Sequence, residues 1–407
     1  MKWVSSFKYV PINYNGRVVT VKDHTQRVNF DNNLNGSKIR LHLCNRYAGK
    51  PLCLDRVTVG VAEGDRAAGV TNVTLGGNSR IILAPGQEIF SDEIAFTVHA
   101  GERLVVSTYV EQEQDIESIC CFWARTGALV SFGVGDRTEG EAFEEAALTD
   151  LLPILRDDAL PDQIMFFFGF DALQVYTDDG VKVVAAFGDS IIHMSYVTNE
   201  LMKRLYAAFP GQVTLYNSGI GGNRLVHDGT YVAETPQLAS AFGIAGVKRF
   251  ERDVFGIDRV DSVLSLIGIN DIMHPLVLEK RTETIAAREL IAGYREIAKI
   301  AHDHGAAIYA GTIMPEGSKE HPENWLLLME KTRLSVNDWV RGENDLDGYY
   351  DYDEALRDPE RAGYMLPGVH IGDGLHPNEK GGELAAAVVD INKLTGLHQQ
   401  GRRGLEE

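Results

Sequence analysis

Cysteine is scarce in this 407-residue chain. There are four, at Cys44, Cys53, Cys120 and Cys121. Their spacing fits neither a zinc site nor a disulfide framework, so buried reduced thiols and a cytoplasmic setting are expected. Long apolar runs are missing, which argues against a membrane-spanning helix. The opening residues, from Met1 to Ser6, lack an apolar stretch followed by a small-residue cleavage site, and no secretory leader is read there. Basic residues are outnumbered, 39 Lys and Arg against 58 Asp and Glu, for a net charge of −19. Such a surface repels phosphate backbones and anionic lipid, so neither nucleic acid nor a membrane is an expected partner. No internal repeat, dinucleotide fingerprint or phosphate-binding lysine loop is found. What remains, 44% hydrophobic and 24% charged, is ordinary globular composition at a length suited to two domains.

The chain changes grammar near its middle. Up to residue 178, apolar residues alternate with polar ones, as in Ile39, Leu41 and Leu43, or Val57, Val59 and Val61. Turn signals such as Asn35-Gly36 and Ala84-Pro85-Gly86 separate these runs. Many short strands at short spacing predict an all-β, sandwich-like domain over residues 1–178, with one helical insertion around Glu141 to Leu155. Residues 179–398 instead alternate continuous apolar strands (Val181 to Phe187, Val213 to Tyr216, Ser262 to Ile267, Ala306 to Ile313) with helical patterns. One such helix spans Ile191 to Phe209, and the last opens at Pro377 and runs through Ile391. That grammar predicts an α/β domain with a parallel sheet covered on both faces. Residues 399–407 form a polar tail expected to fray.

Four short blocks carry chemistry. Gly188-Asp189-Ser190 ends a buried strand and delivers a hydroxyl to the carboxyl edge of the sheet, where open α/β sheets place their sites. Alone, it equally fits a serine that caps the next helix. Asp373 and His376 share one short loop, three residues apart, so the carboxylate can orient an imidazole base. Gly268-Ile269-Asn270-Asp271 follows another strand and offers a side-chain amide to a developing oxyanion, although Asn270 or Asp271 there also fits a helix cap. The glycine-rich run Asn217 to Arg224 frees backbone N–H groups for a close approach. His302 and His304, near a helix end, cannot share one face, and no metal site is read.

Together, in this order, the blocks resemble those of the SGNH (GDSL) hydrolases, over about Val181 to Leu394. The resemblance implies a three-layer α/β/α fold and ester hydrolysis without a metal or other cofactor. It makes Ser190 the nucleophile, His376 the base and Asp373 the orienting acid. It makes Gly222 N–H, the Asn270 amide and Ser190 N–H the oxyanion hole, Gly222 being five residues after Asn217. Asp189, Asn223 and Arg224 are further candidates for substrate contact. The serine block departs from the family in reading Ile191-Ile192-His193, with His193 expected at the solvent ahead of a substrate contact; His274 is a rival base. Gly221 to Arg224, Val336 to Trp339, Asp353 to Pro359 and Asp373 to Asn378 are similar to the branch grouped with xylan esterases. That likeness implies removal of small acyl groups, acetyl foremost, from a carbohydrate. Two alternatives stand beside it: a lysophospholipase or thioesterase, which needs an apolar tunnel, and a carbohydrate-binding protein with a vestigial hydrolase domain. Sequence leaves the assembly state, homo-oligomer included, open.

Overall fold

The computed structural model describes residues 1–155, 164–317, 323–342 and 344–398. The expected frayed tail, 399–407, lies outside them.

The N-terminal region is built of antiparallel strands. One sheet centres on the long strand Met165–Thr177, which pairs with Lys2–Lys8, Gly36–Cys44 and Ser118–Phe122. The other runs, in spatial order, Ala128–Val134, His24–Asp31, Arg103–Val110, Arg56–Glu63 and Arg66–Asn72. The period-two residues face inward: Ile39, Leu41 and Leu43 from one sheet and Val57, Val59, Leu104 and Val106 from the other join one core. Phe7 stacks on Phe30 across the two sheets, ring centroids 4.3 Å apart.

Glu141 to Leu155 forms no helix apart from a single turn at Pro153–Leu155. The Ala146 and Leu152 N–H groups instead bond the carbonyls of Phe132 and Val18, and the Phe143 ring lies under the Arg27 guanidinium. These tertiary contacts override good helix formers. The cysteines are free thiols, with Cys44, Cys120 and Cys121 buried and Cys53 half-buried.

The C-terminal domain holds five parallel strands in the order Val213–Gly219, Lys182–Gly188, Ser262–Leu266, Ala307–Gly311, Gly348–Tyr350. The chain order therefore reads 2-1-3-4-5, and the sheet switches direction at its first strand. Helices including Tyr196–Ala208, Ala287–Asp303 and Glu323–Arg341 pack around the sheet. Gly188 registers with Gly219 on one side and Leu266 on the other, so the carboxyl ends of three neighbouring strands are level.

Two predicted helices are interrupted. Ser190–His193 and Tyr196–Ala208 are separate, because Ser195 takes a left-handed φ of 73° between them. The last helix starts after Asn378, whose side chain accepts the Gly381 N–H, and ends before a second one, Ile391–Thr395. Among the described residues, no helix is long and apolar enough to cross a membrane.

The two parts interlock. The Ser5 hydroxyl and N–H both bond the Asp258 carboxylate, and the Thr214 hydroxyl donates to the Ser5 carbonyl.

Candidate active site

Three strand ends and one loop converge at the switch point, where open sheets gather ligands. Ser190 begins its short helix, so its N–H belongs to the first turn and has no intrahelical acceptor. Capping falls to Asp189, whose side chain accepts the Ile191 N–H at 3.1 Å. The Ser190 hydroxyl is left to face His376, with Oγ and Nε2 2.7 Å apart. His376 Nδ1 hydrogen-bonds Asp373 Oδ2, and Asp373 Oδ1 accepts the N–H groups of Leu375 and His376 at 3.0 Å each. Burial alone would raise the Asp373 carboxyl. The His376 contact and these backbone donors outweigh it and hold the group at about 2. Asp373 is thus ionised at neutral pH and fixes the tautomer with Nε2 turned toward the serine.

Asn270 sits in the first turn of the helix Ile269–Val277, behind Gly268 at φ 122°. Its Nδ2 donates to the Asn223 carbonyl at 3.1 Å. One amide hydrogen is used there, and the second has no acceptor among the described residues. Gly222 has φ 71°, and a Cβ there would lie 2.0 Å from the Phe242 ring, so only glycine fits. Its N–H has no acceptor among the described residues. Asp271, weighed as a helix cap, instead reaches across to the Leu225 and Val226 N–H groups at 2.6 and 3.0 Å, anchoring the far end of the glycine loop. Burial pushes its carboxyl up to about 6.

A cavity of about 740 Å³ is lined by Ser190, Gly222, Asn270, Asp373 and His376. The C-terminal domain adds Phe242, Met273 and Leu238, and the N-terminal region adds Ile12, Tyr14 and Trp123.

Residues 186–384 match the model of the GDSL-like lipase/acylhydrolase family. The match lies within the C-terminal domain and spans just under half of the chain. That family is one of acyl hydrolases, as its name says. No curated protein matches the chain significantly. Among solved structures, a GDSL-like lipase from Bacteroides thetaiotaomicron is 15% identical, with a TM-score of 0.37 over 53% of this chain and 89% of its own. An acetylxylan esterase from Geobacillus stearothermophilus is 19% identical, with a TM-score of 0.38 over 54% and 95%. An α/β hydrolase from the metagenome of Lake Arreo, Spain, is 21% identical, with a TM-score of 0.38 over 54% and 97%. Likeness at that level says nothing of substrate.

Several sequence expectations need correction. Asp189, Asn223 and Arg224 are buried, and none lines the cavity. Asp189 is the cap just described, and burial pushes its carboxyl up to about 7. Asn223 donates to the Phe242 and Ile244 carbonyls at 2.7 and 2.9 Å and accepts from Arg249. Arg224 pairs with Thr230 and Glu283. All three shape the loop from inside. His193 is buried rather than at the solvent, and it lines the cavity beside Ser190 and Gly222. The rival base His274 lines the cavity, but burial holds it down to about 4 and its ring makes no hydrogen bond among the described residues. Asn337 and Asp353, from the xylan-esterase-like blocks, lie off the cavity: Asn337 clasps Ile313 N–H and carbonyl, and Asp353 pairs with Arg333 and Arg341. Sequence reasoning missed Phe242, for which no local signal exists, and the wall supplied by Ile12 and Tyr14.

Proposed function

We propose that the chain is a serine esterase that works through an acyl-enzyme, with Ser190 as nucleophile, His376 as general base and Asp373 as the carboxylate that orients the imidazole and stabilises its cation. The 2.7 Å contact between Ser190 Oγ and His376 Nε2 carries this reading. As Oγ bonds the ester carbonyl carbon, its proton passes to Nε2. The carbonyl π pair moves to oxygen. The resulting anion is met by Gly222 N–H, Ser190 N–H and the second Asn270 amide hydrogen. Collapse breaks the bond to the alcohol oxygen, which leaves with the proton from Nε2. Water then enters by the same route and releases the acid.

For the substrate, we favour a small acyl ester, acetyl foremost, on a carbohydrate. The cavity is in the range of sites that enclose a ligand of drug size, roughly 300–1,000 Å³, so it has room for the sugar as well as the acyl group. Trp123 is part of its lining and is an aromatic ring of the kind on which sugars stack. The apolar wall of Ile12, Met273 and Leu238 favours a second reading, a lysophospholipase or thioesterase acting on longer chains. A series of p-nitrophenyl esters, run beside acetylated sugars, separates them. The first reading expects acetate to be hydrolysed best, with acetylated sugars accepted; a steady rise of kcat/KM with chain length would replace it with the second. A non-catalytic glycan-binding role is disfavoured by the assembled hydroxyl–imidazole–carboxylate chain. It would require sugar affinity with no turnover and no covalent labelling of Ser190.

A further inference from the structure

The feature that the reaction above leaves unused is His193, and it sits against the oxyanion loop. Its ring is buried at the end of the short helix that begins with Ser190. Nδ1 accepts the Gly221 N–H at 2.9 Å. Gly221 immediately precedes Gly222, whose own N–H is without an acceptor among the described residues. A ring nitrogen that accepts is unprotonated, so the neutral imidazole carries its proton on Nε2. That nitrogen lies 3.5 Å from Cys121 Sγ. Burial holds the imidazole down to about 3, keeping it neutral through the working pH range.

Both groups on the far side of the ring come from the N-terminal region. Cys121 ends near the buried Tyr14 hydroxyl, 3.7 Å away. Trp123 meets the His193 ring edge-on, centroids 5.0 Å apart. Residues just past the ends of the strands Ser118–Phe122 and Lys2–Lys8 grip the next two residues. The Ala124 N–H donates to the Met194 carbonyl at 2.9 Å, and the Tyr9 and Ser195 hydroxyls are 2.9 Å apart. Asn217, at the start of the glycine loop, donates to Ser195 Oγ and accepts the Gly219 N–H. The turn from Ser190 to Ser195 is therefore bonded on one side to the N-terminal sheet and on the other to the oxyanion loop.

We propose that His193 is a positioning residue for the oxyanion hole, its Nδ1 fixing the Gly221–Gly222 turn while Cys121 and Trp123 of the N-terminal region hold the ring in place. This rests on the esterase reading and goes beyond it: the N-terminal region becomes a brace for the catalytic loop as well as a wall of the cavity. A buried histidine that merely filled space would need no acceptor at Nδ1. Here the acceptor is the link.

The test compares His193→Phe, which keeps a ring and removes the acceptor, with His193→Asn, whose Oδ1 can stand near the place of Nδ1. The substrate is p-nitrophenyl acetate. The expected result for His193→Phe is a kcat lower by about 10- to 100-fold, the scale on which a displaced catalytic group costs rate, with KM within about threefold. The rate of Ser190 phosphonylation by an uncharged fluorophosphonate falls in parallel, since that attack builds the same oxyanion. His193→Asn recovers most of both rates. Wild-type kcat in His193→Phe, or no recovery in His193→Asn, overturns the proposal while leaving the esterase reading intact. A wild-type protein that neither hydrolyses esters nor labels at Ser190 overturns both. A measurement on the unmutated protein settles the case where the variants fail to fold. A scalar coupling between the Gly221 amide and a histidine Nδ1 supports the proposal, and a His193 ring protonated on Nδ1 contradicts it.

Discussion

The N-terminal and C-terminal parts of the chain both end strands close to the cavity, yet they contribute different things. The C-terminal domain delivers every group placed in the reaction: Ser190 after the first strand of its parallel sheet, Gly222 after the second, Asn270 after the third, and Asp373 with His376 from the loop before the last pair of helices. The antiparallel region delivers apolar and aromatic wall, Ile12, Tyr14 and Trp123, and the contacts that brace His193. The difference follows from topology. In a parallel sheet all strands point one way, so one edge gathers many loop starts and helix N-termini. In an antiparallel sheet successive ends alternate, and any one edge offers half as many.

Substitutions break the comparison at different depths. The deepest cut is Ser190→Ala or His376→Ala, expected to lower kcat by about 10⁴- to 10⁶-fold while the melting transition stays cooperative. Steady-state hydrolysis of p-nitrophenyl acetate, with thermal melting as the control for folding, measures it. Asn270→Ala follows, with kcat down by about 10²- to 10³-fold and KM little changed, because the lost donor acts on charge that exists only in the transition state. Ile12→Ala is smaller and of another kind. It trims the wall contributed by the N-terminal region, so KM for a butyrate ester shifts by up to about tenfold while kcat for acetate holds. If Ile12→Ala instead cut kcat as Asn270→Ala does, the division between wall and chemistry would be wrong.

The smallest effect concerns stability. In the N-terminal region the buried Asp171 is paired, to His42 at 2.6 Å. In the C-terminal domain both carboxylate oxygens of buried Glu316 lack a partner among the described residues. Burial, with Glu330 nearby, pushes its carboxyl up to about 8 against the opposing Arg333. A carboxyl raised in the folded state contributes stability in full below its unfolded value of 4.5, and that contribution is lost as pH rises through 8. Glu316→Gln therefore melts higher than the wild type at pH 9 by a few degrees, and the gap closes near pH 5. An unchanged gap across that range would mean that the carboxyl is solvated in the folded protein.

Much of the site was legible because its parts are local. Asp373 and His376 share a loop, and Ser190 and Asn270 each directly follow an apolar strand, so a strand pattern plus a short block locates them. The β and α/β grammar was equally plain, since periods of 2 and 3.6 survive in the sequence wherever one face is buried. What failed was set by contacts distant in sequence. Nothing near Ser195 announces a left-handed residue; its partners Tyr9 and Asn217 come from elsewhere in the chain. Glu141 to Leu155 has helix-forming residues, but its backbone is claimed by Phe132 and Val18. Sequence alone points His193 to solvent, because its burial depends on Cys121 and Trp123, some 70 residues earlier. Asp189, Asn223 and Arg224 sit beside reacting groups in sequence and turn inward in space, as neighbours on a tight loop must alternate between facing the ligand and holding the loop.

The account stands on the Ser190 hydroxyl being activated by His376. Intact-mass analysis after exposure to a fluorophosphonate, followed by peptide mapping, tests that most directly. One adduct, on Ser190, formed rapidly in the wild type and no faster than background in His376→Ala, is the predicted result. An ester-hydrolysing wild type that carries no adduct on Ser190, or that labels equally fast without His376, would contradict it.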